Sequence, residues 1–147
     1  RNTIIYGHSD LKDNPDGKKF SQLFKYTDFE FLKENPYVYF STMNEDMVWQ
    51  VFSVFFTNWK DFNYIQANPT DEQFDMIIRE AKLRSEYILD VDVGMDDQII
   101  TLSTCSAFYN KSNPDDYRYV IMAKLLPGTR VSSDPIDVKK NPNPKKS

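Results

Sequence analysis

Cys105, His8 and Arg118 are the residues of this chain whose types could combine for thiolate chemistry. Cys105 is the sole cysteine and His8 the sole histidine, which excludes an internal disulfide framework, a multi-cysteine metal site and a histidine-based zinc site. One thiol and one imidazole remain the minimum set for a nucleophile with an acid–base partner. Cys105 follows the apolar run Gln98–Thr104, so its sulfur falls at the rim of a sheet, in reach of solvent and substrate. Strand alternation sets Ile99, Thr101, Ser103 and Cys105 on one side and Ile100, Leu102 and Thr104 on the other. The competing reading is a structural thiol, because free cysteine commonly packs as a small hydrophobe. His8 also follows directly on an apolar run, Thr3–Tyr6 closed by Gly7, and a lone histidine after a glycine is more often an ordinary surface residue. Arg118 opens the next strand, beyond positions 106–117. If these two strands pair as an antiparallel hairpin, the guanidinium comes beside the sulfur. There it could bind a carboxylate or stabilise charge on a carbonyl oxygen. The alternative is a surface arginine after the acidic Asp115 and Asp116.

The elements that must position these groups are mostly β. Thr3–Tyr6 reads as one strand, Tyr37–Thr42 as a second, and Val48–Thr57, apolar on both faces, as a central third. Ile88–Val93 reads as a half-buried strand, and Gln98–Thr104 and Arg118–Leu126 as two more. Residues 9–19 are a polar loop. Phe20, Leu23, Phe24, Tyr26, Phe29 and Phe31 suggest one or two short helical turns that Asn35-Pro36 stops. The clearest helix begins at Thr70-Asp71-Glu72-Gln73, a capping box. Phe74, Ile77, Ile78 and Ala81 then make one apolar stripe. The expected fold is a β-barrel or rolled sheet with one well-formed helix in the long loop before the cysteine-bearing strand. Residues 1–126 read as the domain. Residues 127–147 read as a flexible extension, since Asn141 to Ser147 offers nothing to bury.

Composition narrows the function classes. Hydrophobic residues make up 40% and charged residues 27%, near globular averages, so wholesale disorder is excluded. The net charge of −4 is spread along the chain, without the basic stripe that nucleic-acid binding needs. No run approaches the ~20 apolar residues of a membrane span, and no signal peptide is present. The chain opens abruptly at Arg1-Asn2 into an apolar run, which reads as a fragment whose N-terminal part is missing. Asp90, Asp92, Asp96 and Asp97 lack calcium-loop spacing and read as a solvated face.

Tyr6-Gly7-His8, Thr101-Leu102-Ser103-Thr104-Cys105 and Arg118-Tyr119-Val120 together resemble the three signature blocks of the sortases, in the form typical of class B. The helix at 70–85, the segment Phe20–Tyr26 and Val51-Phe52-Ser53 are similar to features of the same class. The resemblance covers about residues 3–126. Two departures stand out: Ser9-Asp10 and a polar insertion through Gly17 replace the usual Asn-Met after the histidine, and the family's preceding strands are absent here. The resemblance implies a cysteine transpeptidase without cofactor or metal. Cys105 would attack a cell-wall sorting signal, broadly of the Asn-Pro-x-Thr-Asn type, to form a thioester. An amine from a cell-wall peptide or a pilin lysine would then resolve it. His8 would serve as acid and base, and Arg118 would hold the substrate backbone or steady the oxyanion. Ser103, just before the nucleophile on its face, is a candidate substrate contact. The resemblance adds Tyr64 and Ile65, which could equally seal the core edge. It also implies the outer face of a Gram-positive cytoplasmic membrane, reached through an N-terminal anchor.

Two other readings use the same residues. Water could replace the amine, giving a hydrolytic cysteine peptidase or thioesterase. Alternatively the chain is a non-catalytic surface β domain with Cys105 buried. Asn141-Pro142 also echoes the start of a class B sorting signal, which raises self-inhibition by the tail.

Overall fold

The structure, a computed structural model, describes residues 1–7, 19–40, 46–106, 117–127 and 137–145. His8 therefore lies outside the described residues, as do residues 9–18, where the sequence predicts a polar loop, and 107–116.

A curled five-stranded sheet carries the fold, the half-barrel that the alternating runs predict. Its strands are β1 (Asn2–Gly7), β2 (Tyr37–Tyr39), β3 (Val48–Asn58), β5 (Ile99–Cys105) and β6 (Tyr117–Leu125), in the spatial order β1-β5-β6-β3-β2. β1 runs parallel to β5; the remaining pairs are antiparallel. The apolar runs at 48–57 and 99–104 become inner strands buried on both faces, as two-sided hydrophobicity requires.

Two layers cover the sheet. Between Phe55 and Phe56 the pleat reverses, so their rings enter opposite layers. Phe55 meets Phe62 at 5.7 Å and Tyr64 at 6.0 Å. On the same side Ser53 Oγ donates to the carbonyl of Ala81 at 2.6 Å, docking α2 (Asp71–Arg84). Phe56 instead lies 4.5 Å from Tyr119, which stacks on Phe24 of the 3-10 helix Lys19–Thr27 at 4.9 Å. That helix and α1 (Phe29–Glu34) are the short turns expected before Asn35-Pro36. Helix α2 starts where the capping box predicts: Thr70 Oγ1 accepts from Gln73 N, and Gln73 Oε1 accepts from Thr70 N. Its stripe of Phe74, Ile77, Ile78 and Ala81 is buried. Each such large apolar side chain contributes about 1.5–3 kcal/mol on burial.

Past α2 the chain seals an edge. Beyond Gln50, β3 has no partner from β2, and there Val54 N donates to Ser85 Oγ while Val54 O accepts from Glu86 N. The strand expected at 88–93 is shorter than its pattern: β4 spans Tyr87–Leu89. The alternation persists in burial, with Val91 buried between exposed Asp90 and Asp92, although the ladder has ended. β4 pairs not with the main sheet but with β7 (Val138–Lys140). β7 lies within the extension expected from residue 127 onward, of which the structure describes 127 and 137–145. Asn141 N donates to Glu86 O and its Nδ2 to Ser85 O, while Lys145 reaches Leu83 O and the Glu80 carboxylate. Val138 packs against the core, but most of the ties on this segment are backbone and polar, so its apolar signal in the sequence is slight.

Among the described residues, no helix is long and apolar enough to cross a membrane.

Candidate active site

Cys105 ends the strand that lies between β1 and β6, and both neighbours send a side chain toward it. Antiparallel register sets Cys105 opposite Arg118, and opposed residues in such a pair share a face. The hairpin expected from the sequence thus brings the thiol and the guanidinium together. From the other side, the hydroxyl of Tyr6 lies 2.8 Å from Cys105 Sγ. The Arg118 guanidinium carbon sits 5.6 Å from the centroid of the Tyr6 ring, within cation–π range. Arginine and tyrosine therefore reach each other across the end of β5. Arg118 is oriented further by donation from Nη1 to the Tyr117 carbonyl at 3.1 Å. Cys105 is half-buried.

Past Ile99, the face of β5 that ends in Cys105 is polar, and its hydroxyls are paired. Thr101 Oγ1 donates to Asn2 Oδ1 at 2.7 Å, and Asn2 Nδ2 donates to the Tyr64 carbonyl at 3.2 Å. Ser103 Oγ and the Tyr64 hydroxyl hydrogen-bond at 2.8 Å. This pairing gives Ser103 and Tyr64 a place other than direct substrate contact. Both are 0% exposed and satisfy each other behind the thiol. Ile65, the third expected contact, is 51% exposed beside them and offers the apolar surface that a bound peptide could use.

Burial pushes the Tyr64 phenol above its ordinary value, against the opposing effects of the Ser103 hydrogen bond and the Arg118 charge. Tyr6 is pushed up to about 12 by partial burial and by its bond to Cys105, while Arg118 pulls the other way. Both phenols are therefore neutral at physiological pH and able to donate.

A buried arginine, Arg84, lies behind the β3–β6 pair that carries Arg118. Thr57 lies opposite Arg118 in the β3–β6 ladder, and its Oγ1 accepts from Arg84 Nη1 at 3.0 Å. Arg84, the last residue of α2, is 4% exposed, sits over the Phe62 ring and donates to Glu80 at 3.1 Å. Sequence reasoning passed over Tyr6 and Arg84 as site elements. The approach of Tyr6 to Cys105 depends on a parallel pairing between segments far apart in sequence. Arg84 reads as an ordinary basic residue at a helix C-terminus.

Among the described residues no three histidine, cysteine or acidic side chains gather as metal ligands.

Known proteins resemble the chain in both sequence and fold. The family model described as Sortase domain matches residues 1–126. Sortase B of Listeria monocytogenes is 35% identical over 127 residues, covering 86% of this chain and 48% of its own. A Staphylococcus aureus sortase B–substrate complex superposes with a TM-score of 0.69 at 32% identity, covering 85% of this chain and 55% of that one. A crystal structure of sortase B complexed with triglycine gives the same TM-score of 0.69 and identity of 32%, with the same coverage. The chain thus spans about half the length of the curated relative it matches. With its half-barrel, its thiol opposite an arginine and these likenesses taken together, the chain belongs to the sortase family, among the sortases of class B.

Proposed function

We propose that this chain carries the catalytic face of a cysteine transpeptidase acting on a cell-wall sorting signal. The observation that bears most weight is the register pair Cys105–Arg118 at the end of β5. It supports a thiol with a permanent cation on the same face, an arrangement suited to acyl transfer through a charged intermediate.

In this reading Cys105 Sγ, as thiolate, attacks the carbonyl carbon of the scissile peptide bond. The C–N bond breaks, His8 gives its proton to the departing amine, and a thioester to Cys105 remains. An incoming amine then attacks the thioester and the C–S bond breaks. Neutral His8 takes the proton of the new amide nitrogen, and the thiolate returns. Arg118 holds the substrate backbone or the developing oxyanion; its planar fork of donors suits either task. Ile65 supplies apolar wall, while Ser103 and Tyr64 act from behind by fixing the loop before α2 against β5.

The sortase B complexes with a substrate and with triglycine support a sorting-signal peptide and a small amine as the two partners. For this chain the peptide is of the Asn-Pro-x-Thr-Asn type, and the acceptor is an amine of a cell-wall peptide or of a pilin lysine. The Gram-positive source of the relative supports action at the cell envelope, on the outer face of the cytoplasmic membrane.

The direct test is intact-mass measurement after incubation with an Asn-Pro-x-Thr-Asn peptide library, beside Cys105→Ala. An acyl adduct on the chain but not on the variant is expected, and an added amine should discharge it. A chain that forms no adduct, with a Cys105 that also resists alkylation while folded, would overturn the reading.

A further inference from the structure

We infer that Tyr6 is a positioning residue for the nucleophile: its hydroxyl donates to Cys105 Sγ and holds the sulfur as thiolate at the rim, across from Arg118. The inference rests on the reading of Cys105 as nucleophile but concerns a residue that the three signature blocks give no task beyond preceding Gly7-His8.

The geometry leaves the hydroxyl few alternatives. Parallel pairing sets Tyr6 beside Ser103, one step short of the end of β1, and the side chain reaches forward until its oxygen lies 2.8 Å from the sulfur. Arg118, from the strand on the far side of β5, covers the ring at 5.6 Å. The ring is thus fixed from one face by a cation and at its tip by the sulfur. Against a thiol, either partner can donate. Against a thiolate only the phenol can, because the sulfur has lost its proton. The phenol keeps its own proton throughout the neutral range, since its titration lies near 12.

A donor that bonds the charged form of a group favours that form, and bonds to ionised acceptors are the stronger ones. Thiolate held in this way also points at a defined place, which matters because attack needs the sulfur aligned with the carbonyl. Among the described residues, the groups facing the sulfur are Tyr6 from β1, Arg118 from β6 and Tyr64 from the loop before α2. Tyr64 bonds Ser103, and Tyr6 is the hydroxyl at hydrogen-bond distance from the sulfur.

The test is the pH dependence of Cys105 alkylation by iodoacetamide, an uncharged reagent, in the full chain and in Tyr6→Phe. Cys105 is the sole cysteine, so the rate reports that sulfur alone. Phenylalanine keeps the ring under Arg118 and removes only the hydroxyl of a residue that is 46% exposed, so the variant folds; a thermal melt checks this. The profile is expected to move to higher pH by about one unit, a roughly tenfold slower rate on its acidic limb. A merely structural tyrosine would leave the profile in place. The comparison is repeated in a His8→Ala background, so that the imidazole's own titration cannot supply the shift. A displacement in both backgrounds supports the inference; superimposable profiles in either one overturn it. Alkylation needs no peptide, so the transpeptidase reading fails or stands separately, on the acyl adduct.

Discussion

The buried pair Tyr64–Ser103 invites a double-mutant cycle, because it decides whether these residues touch substrate or brace the site. Their oxygens lie 2.8 Å apart and both residues are 0% exposed. Ser103→Ala leaves the phenol of Tyr64 buried without its partner, at a cost of about 1–3 kcal/mol. Tyr64→Phe strands the serine hydroxyl at a similar cost, while its ring keeps Phe55 at 6.0 Å and Phe62 at 5.6 Å. The double variant strands neither group, since replacing both partners of a buried hydrogen bond is close to neutral. Its loss should therefore fall short of the sum of the single losses by about 2 kcal/mol or more, the two penalties it avoids, a coupling expected of residues in contact.

The assay is urea unfolding followed by the fluorescence of the two tryptophans, with thermal midpoints as a second probe. For a domain of this size, each kcal/mol corresponds to about 2–4 °C. Strict additivity, or single variants within about 0.5 kcal/mol of the parent, would refute the bracing argument. A large rise in peptide KM with unchanged stability would instead restore Ser103 and Tyr64 as direct contacts.

Thr70→Ala should destabilise the chain by about 1 kcal/mol, because it removes the hydroxyl that accepts from Gln73 N; an unchanged urea midpoint would contradict that. Lys145 holds the Glu80 carboxyl below its ordinary 4.5, with Arg84 adding to the effect against some burial. A depressed carboxylate contributes stability that is complete above 4.5 and is lost as pH falls through its folded value. Glu80→Gln should consequently flatten the acid limb of thermal midpoint against pH below about 4.5, and equal acid slopes in both chains would count against it. Deleting residues 137–147 should lower the melting temperature and speed hydrogen exchange at Tyr87–Leu89, whose ladder partner is lost; unchanged exchange there would mean that β7 contributes nothing. Arg118→Lys keeps the charge but not the fork, so acylation should slow by about 10²–10³ with little change in melting temperature; a rate within threefold would remove Arg118 from the chemistry.

How much of this was legible in the sequence depends on the kind of signal. Strong local patterns were read at their true positions: the capping box at Thr70, the stripe of α2, the two-sided apolar run of β3, and the hairpin that pairs Cys105 with Arg118. Weak local patterns misled. Ile88–Val93 alternates as a strand should, yet only its first residues pair, and the partner they find is the three-residue β7. The β7 segment itself, Val138-Lys139-Lys140, is held by backbone bonds and by the amide of Asn141, which leave no periodic apolar trace. The Tyr64–Ser103 pair shows another limit. Its place before the nucleophile offered Ser103 as a candidate contact and the resemblance offered Tyr64, but only packing reveals that each is consumed by the other.

The order of the motif blocks follows from the direction of the strands. β1 and β5 are parallel neighbours, so both deliver their C-terminal ends to one rim, where the chain leaves Gly7 for His8 and where Cys105 stands. β6 runs antiparallel to β5 and so starts at that same rim, with Arg118 near its beginning. A block that closes a strand, a second that closes a strand and a third that opens one are therefore what a single shared rim demands of this topology. Reversing β1 would carry Gly7 to the far end of the sheet, and no substitution near Cys105 could make up for it. The parallel pairing of β1 with β5, set by the buried bonds of Asn2 to Thr101 Oγ1 and to the Tyr64 carbonyl, is thus as much a part of the site as the thiol. Asn2→Leu, at the opposite end of β1 from the rim, should lower the rate of Cys105 alkylation as well as stability. A variant that loses stability but alkylates at the parental rate would show that the rim holds its geometry without that anchor.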